Sequence, residues 1–349
     1  MADIHQLLTQ AQAYIDRHDW SARIGIDLSG AAVSPLAQGE YNLNYLVSAP
    51  GAPKLVLRVN MGTQIGREDQ ILYEYKALRL LQASGVTPRP YYVDDTRRDF
   101  DTGTLLMAYL PGEPLDYGCD LAAAAALFAR IHQVPVNDAD NHLIREERPL
   151  SLIVDECHGL IETYLQSDLA DPGIAQYLAE LRQWAAENRS QERYYQADPW
   201  NCIVNTEVNS GNFIANREAG SLHLVDWEMP RWGDPSQDLA HFCSPLTTLW
   251  KTEYRMDAAE KTRFIQTYKR HLQDAHLRDT LEDRLRLREP FVKLRGISWS
   301  AMGWVAYQGD YNGVRNPDTW ATLQRYLQLD FIRDIFDPII SAFEKRGSP

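Results

Sequence analysis

The sequence has few cysteines, and they lie far apart. Cys119, Cys157, Cys202 and Cys243 form no C-x-x-C pair, so we predict neither a disulfide framework nor a zinc site and expect buried core thiols. There is also no apolar run of about 18 residues, the length that crosses a bilayer. The segment Met1–Trp20 is polar and carries several charges, unlike a signal peptide. We therefore expect a cytoplasmic protein without a membrane partner.

Positive charge is also in deficit. The chain has 35 Lys and Arg against 48 Asp and Glu, which gives a formal net charge of −13. This balance argues against general nucleic-acid binding, which requires a basic surface, and it leaves room for a cationic small molecule. With 349 residues, 44% hydrophobic and 24% charged, the chain suits a globular protein of two domains or one large two-lobed domain. Nothing in the sequence indicates an oligomeric state.

The first third of the chain is rich in strand patterns. An N-terminal helix is placed at residues 1–20, and apolar, β-branched segments at Tyr45–Val47 and Lys54–Asn60 predict strands. A helix is expected from about Glu68 to Gln82, ending near Gly85.

The pattern changes near residue 110. After the Pro/Gly-rich residues 111–114, long helical patterns dominate, with an irregular, strand-containing stretch at Cys202–Trp227. We predict an α+β fold with a small β-rich N-lobe at residues 21–109 and a larger, mainly helical C-lobe at residues 110–349.

One cation interrupts a strand that is otherwise apolar on both faces. Arg58 lies within Leu55–Val59, and burying an unpaired charge there is costly. Glu74 falls inside the apolar sector of the predicted helix, so it is the expected partner of Arg58. Such a pair is how kinases hold nucleotide phosphates. The alternative is an edge-strand arginine whose side chain extends to water.

A glycine-containing loop precedes the first predicted strand. Gln38, Gly39, Asn42 and Asn44 are the small and amide residues that define it. They are candidates for covering a nucleotide's phosphates, with a simple hairpin turn as the alternative.

Three oxygen-bearing side chains flank a predicted hairpin in the second part of the chain. Glu207 and Asn212 precede it, and Asp226 follows its apolar second strand. Mg²⁺ prefers a few carboxylate or amide oxygens, so Asn212 and Asp226 are the predicted metal ligands and Glu207 is placed near the reacting hydroxyl. The alternative is a polar surface hairpin.

A helix start follows at once. Asp234 and Pro235 form an N-cap and first helical position, with Gln237 completing a capping box. We assign structural roles to Asp234 and Asp238.

Together these motifs resemble those of the aminoglycoside phosphotransferase and choline/ethanolamine kinase families. Their signature is H-x-D-x-x-x-x-N, then an apolar strand ending in D-[FW]-[ED], then G-D-P-x-x-D-L-A. The matches here are Asn212, Asp226–Glu228 and Gly233–Ala240. The resemblance implies a bilobal protein-kinase-like fold that uses ATP and Mg²⁺, with Arg58 on the phosphates and Glu74 setting it. It also implies a hinge at Met107–Leu110, including Tyr109, that meets adenine.

The chain departs from that signature at two positions. Glu207 stands where the families have the catalytic aspartate, and Asn205 where they have the histidine. Glutamate keeps the carboxylate and adds one methylene, whereas asparagine can form hydrogen bonds but does not titrate. Glu207 and Asn205 are therefore the predicted catalytic residues.

Aromatic residues near the C-terminus indicate the acceptor side. Trp304, Tyr307 and Tyr311 share one face of a predicted helix and are similar to the aromatic helix that encloses a quaternary ammonium in choline kinases. Core packing is the favoured alternative. Trp250 and Glu228 complete the predicted acceptor pocket.

These residues predict an ATP-dependent phosphotransferase acting on the hydroxyl of a small molecule such as an amino alcohol, an aminoglycoside or a sugar-like compound. The alternative is a catalytically idle kinase-like module that binds a nucleotide or a partner. A kinase of protein side chains is disfavoured, because only seven positions separate Asp226 from Gly233 and leave no room for an activation segment.

Overall fold

The computed structural model describes residues 4–39, 41–63, 65–137, 141–250, 252–309 and 316–346, with side chains to residue 343. The chain forms two compact units. The first unit comprises Met1–Pro114, Val134–Leu143 and Asn212–Pro230, and the second comprises Leu115–Gln133, Ile144–Gly211 and Arg231–Pro349. The chain thus returns to the first unit with the stretch that carries the predicted metal ligands.

The described elements are numbered in chain order. The helices are α1 (Leu8–Arg17), α2 (Trp20–Ile24), α3 (Gln70–Leu81), α4 (Tyr117–His132), α5 (Pro149–Leu165), α6 (Pro172–Asn188), α7 (Arg193–Ala197), α8 (Ser236–Phe242), α9 (Pro245–Thr248), α10 (Ala258–His271), α11 (Ala275–Gln308), α12 (Pro317–Tyr326) and α13 (Leu329–Arg346). The strands are β1 (Ala32–Gln38), β2 (Asn42–Ser48), β3 (Leu55–Asn60), β4 (Pro90–Asp94), β5 (Thr104–Ala108), β6 (Glu113–Pro114), β7 (Ile144–Arg145), β8 (Cys202–Val204), β9 (Phe213–Asn216), β10 (Ser221–Leu224) and β11 (Arg231–Gly233).

The first unit is built on an antiparallel sheet in the order β1-β2-β3-β5-β4. One face of the sheet is apolar, with Tyr45 of β2 and Leu57 of β3 packing in one core with Tyr14 of α1 and with Trp20. Successive strand residues point to opposite faces, so the even-numbered residues of β2 and β3 face the other way. That second face carries polar groups, because Asn42 pairs with Asn60 and Asn44 pairs with Arg58 across the two strands.

Helix α3 follows the sheet and ends as predicted. A short 3-10 turn at Gln82–Ser84 extends it, and Gly85 ends that turn in the left-handed conformation that glycine adopts at no cost. The prediction of a helix from about Glu68 to Gln82 is confirmed.

The first unit also contains a small hairpin. Strands β9 and β10 pair antiparallel from Phe213–Leu224 to Asn216–Ser221, and β6 pairs with β9 on the other side. The Leu224 amide donates to the carbonyl oxygen of Val86 at 2.9 Å, which ties the hairpin to the end of the α3 region.

The second unit is mainly helical. The long helix α11 packs against α5, α8 and α12, and α10 packs against α4. A small sheet in the order β7-β11-β8 carries the chain into the loop after Val204.

Two buried arginines on α11 anchor other parts of the second unit. Arg284 donates to Asp234 Oδ2 at 2.6 Å and to Asp198 Oδ2 at 2.5 Å. Arg288 donates to Glu146 Oε2 at 2.7 Å and to the carbonyl oxygen of Pro149 at 2.9 Å. Both arginine side chains are fully buried.

Two sequence-based expectations are wrong in detail. The helix placed at residues 1–20 ends earlier, at Arg17, because His18 adopts an extended backbone after α1; a second helix, α2, begins at Trp20 and is capped by the Asp19 side chain, which accepts from the Ala22 amide. Of the cysteines, Cys157, Cys202 and Cys243 are buried as expected, but Cys119 is exposed. No helix among the described residues has the length and apolarity needed to cross a membrane.

Candidate functional site

The ion pair predicted between Arg58 and Glu74 is confirmed. Arg58 lies on β3, which is an interior strand of the sheet, and its side chain is buried, so the edge-strand alternative is wrong. Its Nη1 atom donates to Glu74 Oε1 at 2.6 Å and to Asp226 Oδ1 at 2.8 Å. One guanidinium therefore joins β3, α3 and the segment that follows the hairpin.

The charges around Arg58 favour its ionised form. Burial lowers the pKa of the guanidinium, but Glu74, Asp226 and Glu228 together outweigh burial and raise it. Burial raises the pKa of Glu74, with Arg58 acting in the opposite direction. Because the Nη1 of Arg58 is shared by two carboxylates, the cluster has a surplus of negative charge, which suits the addition of a cation.

Two predicted phosphate-loop residues lie on the same face of the sheet as Arg58. Asn44 accepts from Arg58 Nε through Oδ1 at 3.0 Å. Asn42 is buried and donates through Nδ2 to Glu228 Oε2 at 2.5 Å. Asn44 is thus placed beside the phosphate-binding candidate, whereas the side chain of Asn42 is engaged with a carboxylate.

The chain positions of the two predicted metal ligands come close in the backbone at the open end of the hairpin. Phe213 and Leu224 are its last paired residues, and the Val225 amide donates to the carbonyl oxygen of Asn212 at 2.8 Å. The backbone of Asp226 then turns with φ of 63°, in the left-handed region where aspartate is one of the more tolerated residues. This turn accompanies the contact of its carboxylate with Arg58.

Glu228 joins the same group of side chains. Its carboxylate and that of Asp226 offer oxygens within 4.8 Å of each other. Helix α3 holds the backbone here, because Gln70 Nε2 donates to the carbonyl oxygen of Glu228 and Tyr73 donates to that of Pro230, both at 2.5 Å. Glu228 was predicted in the acceptor pocket, and that role stays a prediction; its carboxylate lies beside that of Asp226.

This set of donors has the chemistry that Mg²⁺ requires. Asn212, Asp226 and Glu228 supply amide and carboxylate oxygens, which are the ligands of hard divalent cations. The excess negative charge around Arg58 points the same way. The residues of the first unit therefore fit a magnesium ion.

In the second unit, the loop that carries the predicted catalytic residues is held by one aspartate. Asp238 of α8 is fully buried; its Oδ2 accepts from the Asn205 amide at 2.8 Å and its Oδ1 accepts from the Thr206 amide at 2.9 Å. The Asn205 side chain in turn accepts from the Glu207 amide at 2.9 Å. The amide oxygen of Asn205 thus holds the loop, and Glu207 sits at its end.

The loop is strained between these two residues. Thr206 has φ of 73°, a conformation that costs a β-branched residue about 1–3 kcal/mol. Its carbonyl oxygen accepts from His241 Nδ1 at 2.8 Å. Burial, together with the charge of Arg295, lowers the pKa of His241 to about 4, so the imidazole is neutral and donates from Nδ1 at neutral pH.

The remaining nucleotide-site predictions fall in ordinary strand and loop positions. Met107 is buried in β5, and the Tyr109 amide donates to the carbonyl oxygen of Lys54 at 3.1 Å. Gln38 accepts from the Ile4 amide at 3.2 Å, and the Gly39 amide donates to the carbonyl oxygen of Asn42 at 2.9 Å. Contact of these residues with a nucleotide stays a prediction.

The aromatic residues predicted for the acceptor side pack against other aromatic rings. Trp304 and Tyr307 both contact the ring of Trp320, at centroid distances of 6.4 and 5.9 Å. Trp250 contacts Trp299 at 5.6 Å. Tyr311 lies outside the described residues. The contact of Tyr307, which is buried, agrees with the core-packing alternative, whereas Trp250 and Trp304 are half-buried.

Sequence reasoning missed two residues that organise the cluster in the first unit. Asn60 donates to Asn42 Oδ1 at 3.2 Å, and Gln70 holds the backbone of Glu228. The signal was present, since Asn60 ends an apolar strand and Gln70 opens a helix on its buried side.

Known proteins resemble this chain in sequence profile and in fold. The profile of the Phosphotransferase enzyme family matches residues 32–289. No curated protein matches the chain significantly. Among solved structures, a spectinomycin phosphotransferase in complex with ADP and spectinomycin aligns with 94% of this chain and 98% of its own, at a TM-score of 0.61 and 14% identity.

Two further kinases align similarly. An ethanolamine kinase of Plasmodium vivax has a TM-score of 0.62 and 15% identity, with 89% of this chain and 84% of its own covered. A choline kinase of Cryptosporidium parvum Iowa II has a TM-score of 0.62 and 14% identity, with 96% and 99% covered. These similarities establish an α+β, protein-kinase-like fold. With its profile match and its fold, the chain belongs to the phosphotransferase enzyme family.

Proposed function

We propose that the protein transfers the γ-phosphoryl group of ATP to a hydroxyl group of a small molecule. The observation that carries the proposal is the buried Arg58 shared by Glu74 and Asp226. A fixed cation beside a pair of carboxylates is the arrangement in which kinases bind nucleotide phosphates together with a divalent ion.

The residues around Arg58 have separate roles in this reaction. Arg58, set by Glu74, binds phosphate oxygens, and Asn44 orients Arg58 from the neighbouring strand. Asn212, Asp226 and Glu228 would hold Mg²⁺, which would neutralise charge on the phosphates when bound. Positioning and charge neutralisation supply most of the rate in this chemistry.

Glu207 is the proposed base. Glu207 orients the acceptor hydroxyl and takes its proton as the hydroxyl oxygen forms a bond to the γ-phosphorus and the bond to ADP breaks. The Asp238–Asn205 hydrogen bonds hold the loop on which Glu207 sits. Glutamate therefore serves here in the place of the shorter aspartate.

The test uses acceptor-dependent ADP release. The protein is incubated with Mg·ATP and a panel of amino alcohols, aminoglycosides and sugars, and Glu207→Gln is compared with Glu282→Gln, which changes an exposed glutamate on α11. We expect Glu207→Gln to abolish turnover while nucleotide binding, measured by calorimetry, is retained. Full turnover by Glu207→Gln would remove Glu207 from the mechanism.

The idle-module alternative predicts a different result. Nucleotide binding without ADP release across a broad acceptor panel supports that alternative, which is motivated by the exchanges at Asn205 and Glu207. Absence of nucleotide binding by the wild-type protein would contradict the proposed transfer and would leave only the partner-binding form of the alternative.

A further inference from the structure

A buried polar network in the first unit connects protein side chains to one another. It runs through Asn42, at the start of β2, which was predicted to cover nucleotide phosphates. Its side chain is buried and directed at the Glu228 carboxylate, 186 positions away in the chain.

The orientation of the Asn42 amide follows from its neighbours. A carboxylate accepts hydrogen bonds, so the atom facing Glu228 Oε2 at 2.5 Å is the Nδ2 donor. On the other side, Asn60 Nδ2 donates to Asn42 Oδ1 at 3.2 Å and to the Gly62 carbonyl oxygen at 2.7 Å. Because a carbonyl oxygen can only accept, Asn60 donates to Asn42, and Asn42 in turn donates to the Glu228 carboxylate.

The backbone of Asn42 has a second task. Its carbonyl oxygen accepts from the Gly39 amide at 2.9 Å, which closes the turn between β1 and β2. A single residue therefore holds the glycine turn with its main chain and Glu228 with its side chain. The shape of the turn and the position of the carboxylate are mechanically linked.

The position of Glu228 matters because of Asp226. The two carboxylates offer oxygens within 4.8 Å of each other. Two negative groups at that separation repel each other, and a cation or hydrogen-bond donor beside each offsets the repulsion. Arg58 holds Asp226, and Asn42 holds Glu228. A donor to one oxygen of Glu228 fixes the direction of the whole carboxylate.

We propose that Asn42 is a positioning residue that orients the Glu228 carboxylate toward the divalent ion, and so couples the glycine turn to metal binding. The inference rests on the proposed function, because the ion is the one that accompanies ATP. Asn42 itself contacts neither the nucleotide nor the metal. Hydrogen-bond partners of metal ligands typically contribute about 10–100-fold to metal affinity.

The test measures metal dependence rather than turnover. Calorimetry of a non-hydrolysable ATP analogue at a series of free Mg²⁺ concentrations gives the concentration for half-maximal metal-dependent binding. We expect Asn42→Ala to raise that concentration about 10- to 100-fold, with affinity for the metal-free nucleotide unchanged. Asn216→Ala is the matched control, since that amide of the same unit accepts only from the nearby Ala219 amide among the described hydrogen bonds.

A double-mutant cycle tells positioning from general damage. Glu228→Met keeps the approximate length of the side chain and removes the oxygens that Asn42 is proposed to orient. If Asn42 acts through Glu228, adding Asn42→Ala to Glu228→Met changes the Mg²⁺ dependence by no more than about twofold. An effect of Asn42→Ala that is equally large in both backgrounds overturns the proposal.

A second variant covers the case in which Asn42→Ala fails to fold. Asn42→Thr suits a strand, and its hydroxyl ends one bond short of the amide nitrogen. It is expected to raise the half-maximal Mg²⁺ concentration in the same way, with an unchanged melting temperature. Wild-type Mg²⁺ dependence in Asn42→Thr overturns the inference alone, whereas a wild-type protein that binds no Mg·nucleotide overturns the proposed function and the inference with it.

Discussion

Replacement of Asp238 by asparagine is expected to release the catalytic loop. The two oxygens of this carboxylate accept from two different backbone amides, Oδ2 from Asn205 and Oδ1 from Thr206. An asparagine has one oxygen, so its NH₂ group must face one of the two N–H groups. His132 Nε2 lies 3.3 Å from Oδ2, which favours the oxygen on that side and leaves Thr206 opposed by a donor.

The magnitude follows from these contacts. A hydrogen bond to an ionised acceptor contributes about 1.5–3 kcal/mol, and one is lost outright. Thr206 also loses the contact that helps to hold its φ of 73°, so the loop is free to relax. We expect Asp238→Asn to lower the free energy of unfolding by about 3 kcal/mol and to lower turnover by about 100-fold, because Glu207 moves with the loop.

The assay is denaturant unfolding followed by circular dichroism, with ADP release measured in parallel. Asp283→Asn is the matched control, since Asp283 is an exposed aspartate whose partner Arg286 lies 3.5 Å away, a pairing of little consequence. If Asp238→Asn unfolds within about 0.5 kcal/mol of that control, the loop is not held as described.

Two further predictions concern the charged groups. Glu74→Gln is expected to lower the free energy of unfolding by about 2 kcal/mol, less than the complete loss of a buried ion pair, because Arg58 keeps Asp226 as a partner. It should also weaken Mg·ATP binding, with the exposed Glu68→Gln as the control. Unchanged binding would contradict the role of Arg58. His241 has a pKa of about 4 in the folded state against 6.5 when unfolded, so the unfolded chain binds the proton first and stability is lost as pH falls from 6.5 toward 4. His241→Asn, which still donates to Thr206, should remove up to about 2 kcal/mol of that loss. The free energy of unfolding of both proteins is measured between pH 7 and 4.5, and the same dependence on pH in both would refute the assignment.

The sequence was sufficient where a residue conflicts with its own local pattern. Arg58 on an apolar strand and Glu74 in an apolar helical sector each demand a partner of opposite charge, and each is the other's nearest candidate. The helix that ends near Gly85 and the hairpin that brings Asn212 beside Asp226 follow in the same way from local turn and capping chemistry.

The sequence was insufficient where a contact joins distant segments. Asn42 lies in a loop-like stretch, and only the pairing of Asn42 with Asn60 and the return of residues 212–230 to the first unit bring it to Glu228. Asp238 was recognised as structural, but its two backbone partners lie more than thirty positions earlier, in a loop whose left-handed Thr206 has no local signal. For Trp304 and Tyr307 the spacing gave the shared face, while the neighbour on that face, Trp320, required the tertiary structure.

The glycine at 233 has a spatial explanation that is independent of catalysis. A Cβ atom there would lie 2.6 Å from Glu146 Oε2, and that oxygen cannot swing aside without abandoning Arg288, a guanidinium with no access to water. Even alanine at this position would therefore set a methyl group against an ion pair. The smallest residue of the G-D-P turn makes space for an acid nearly ninety positions earlier, and the turn's sequence is constrained by the interior of the second unit.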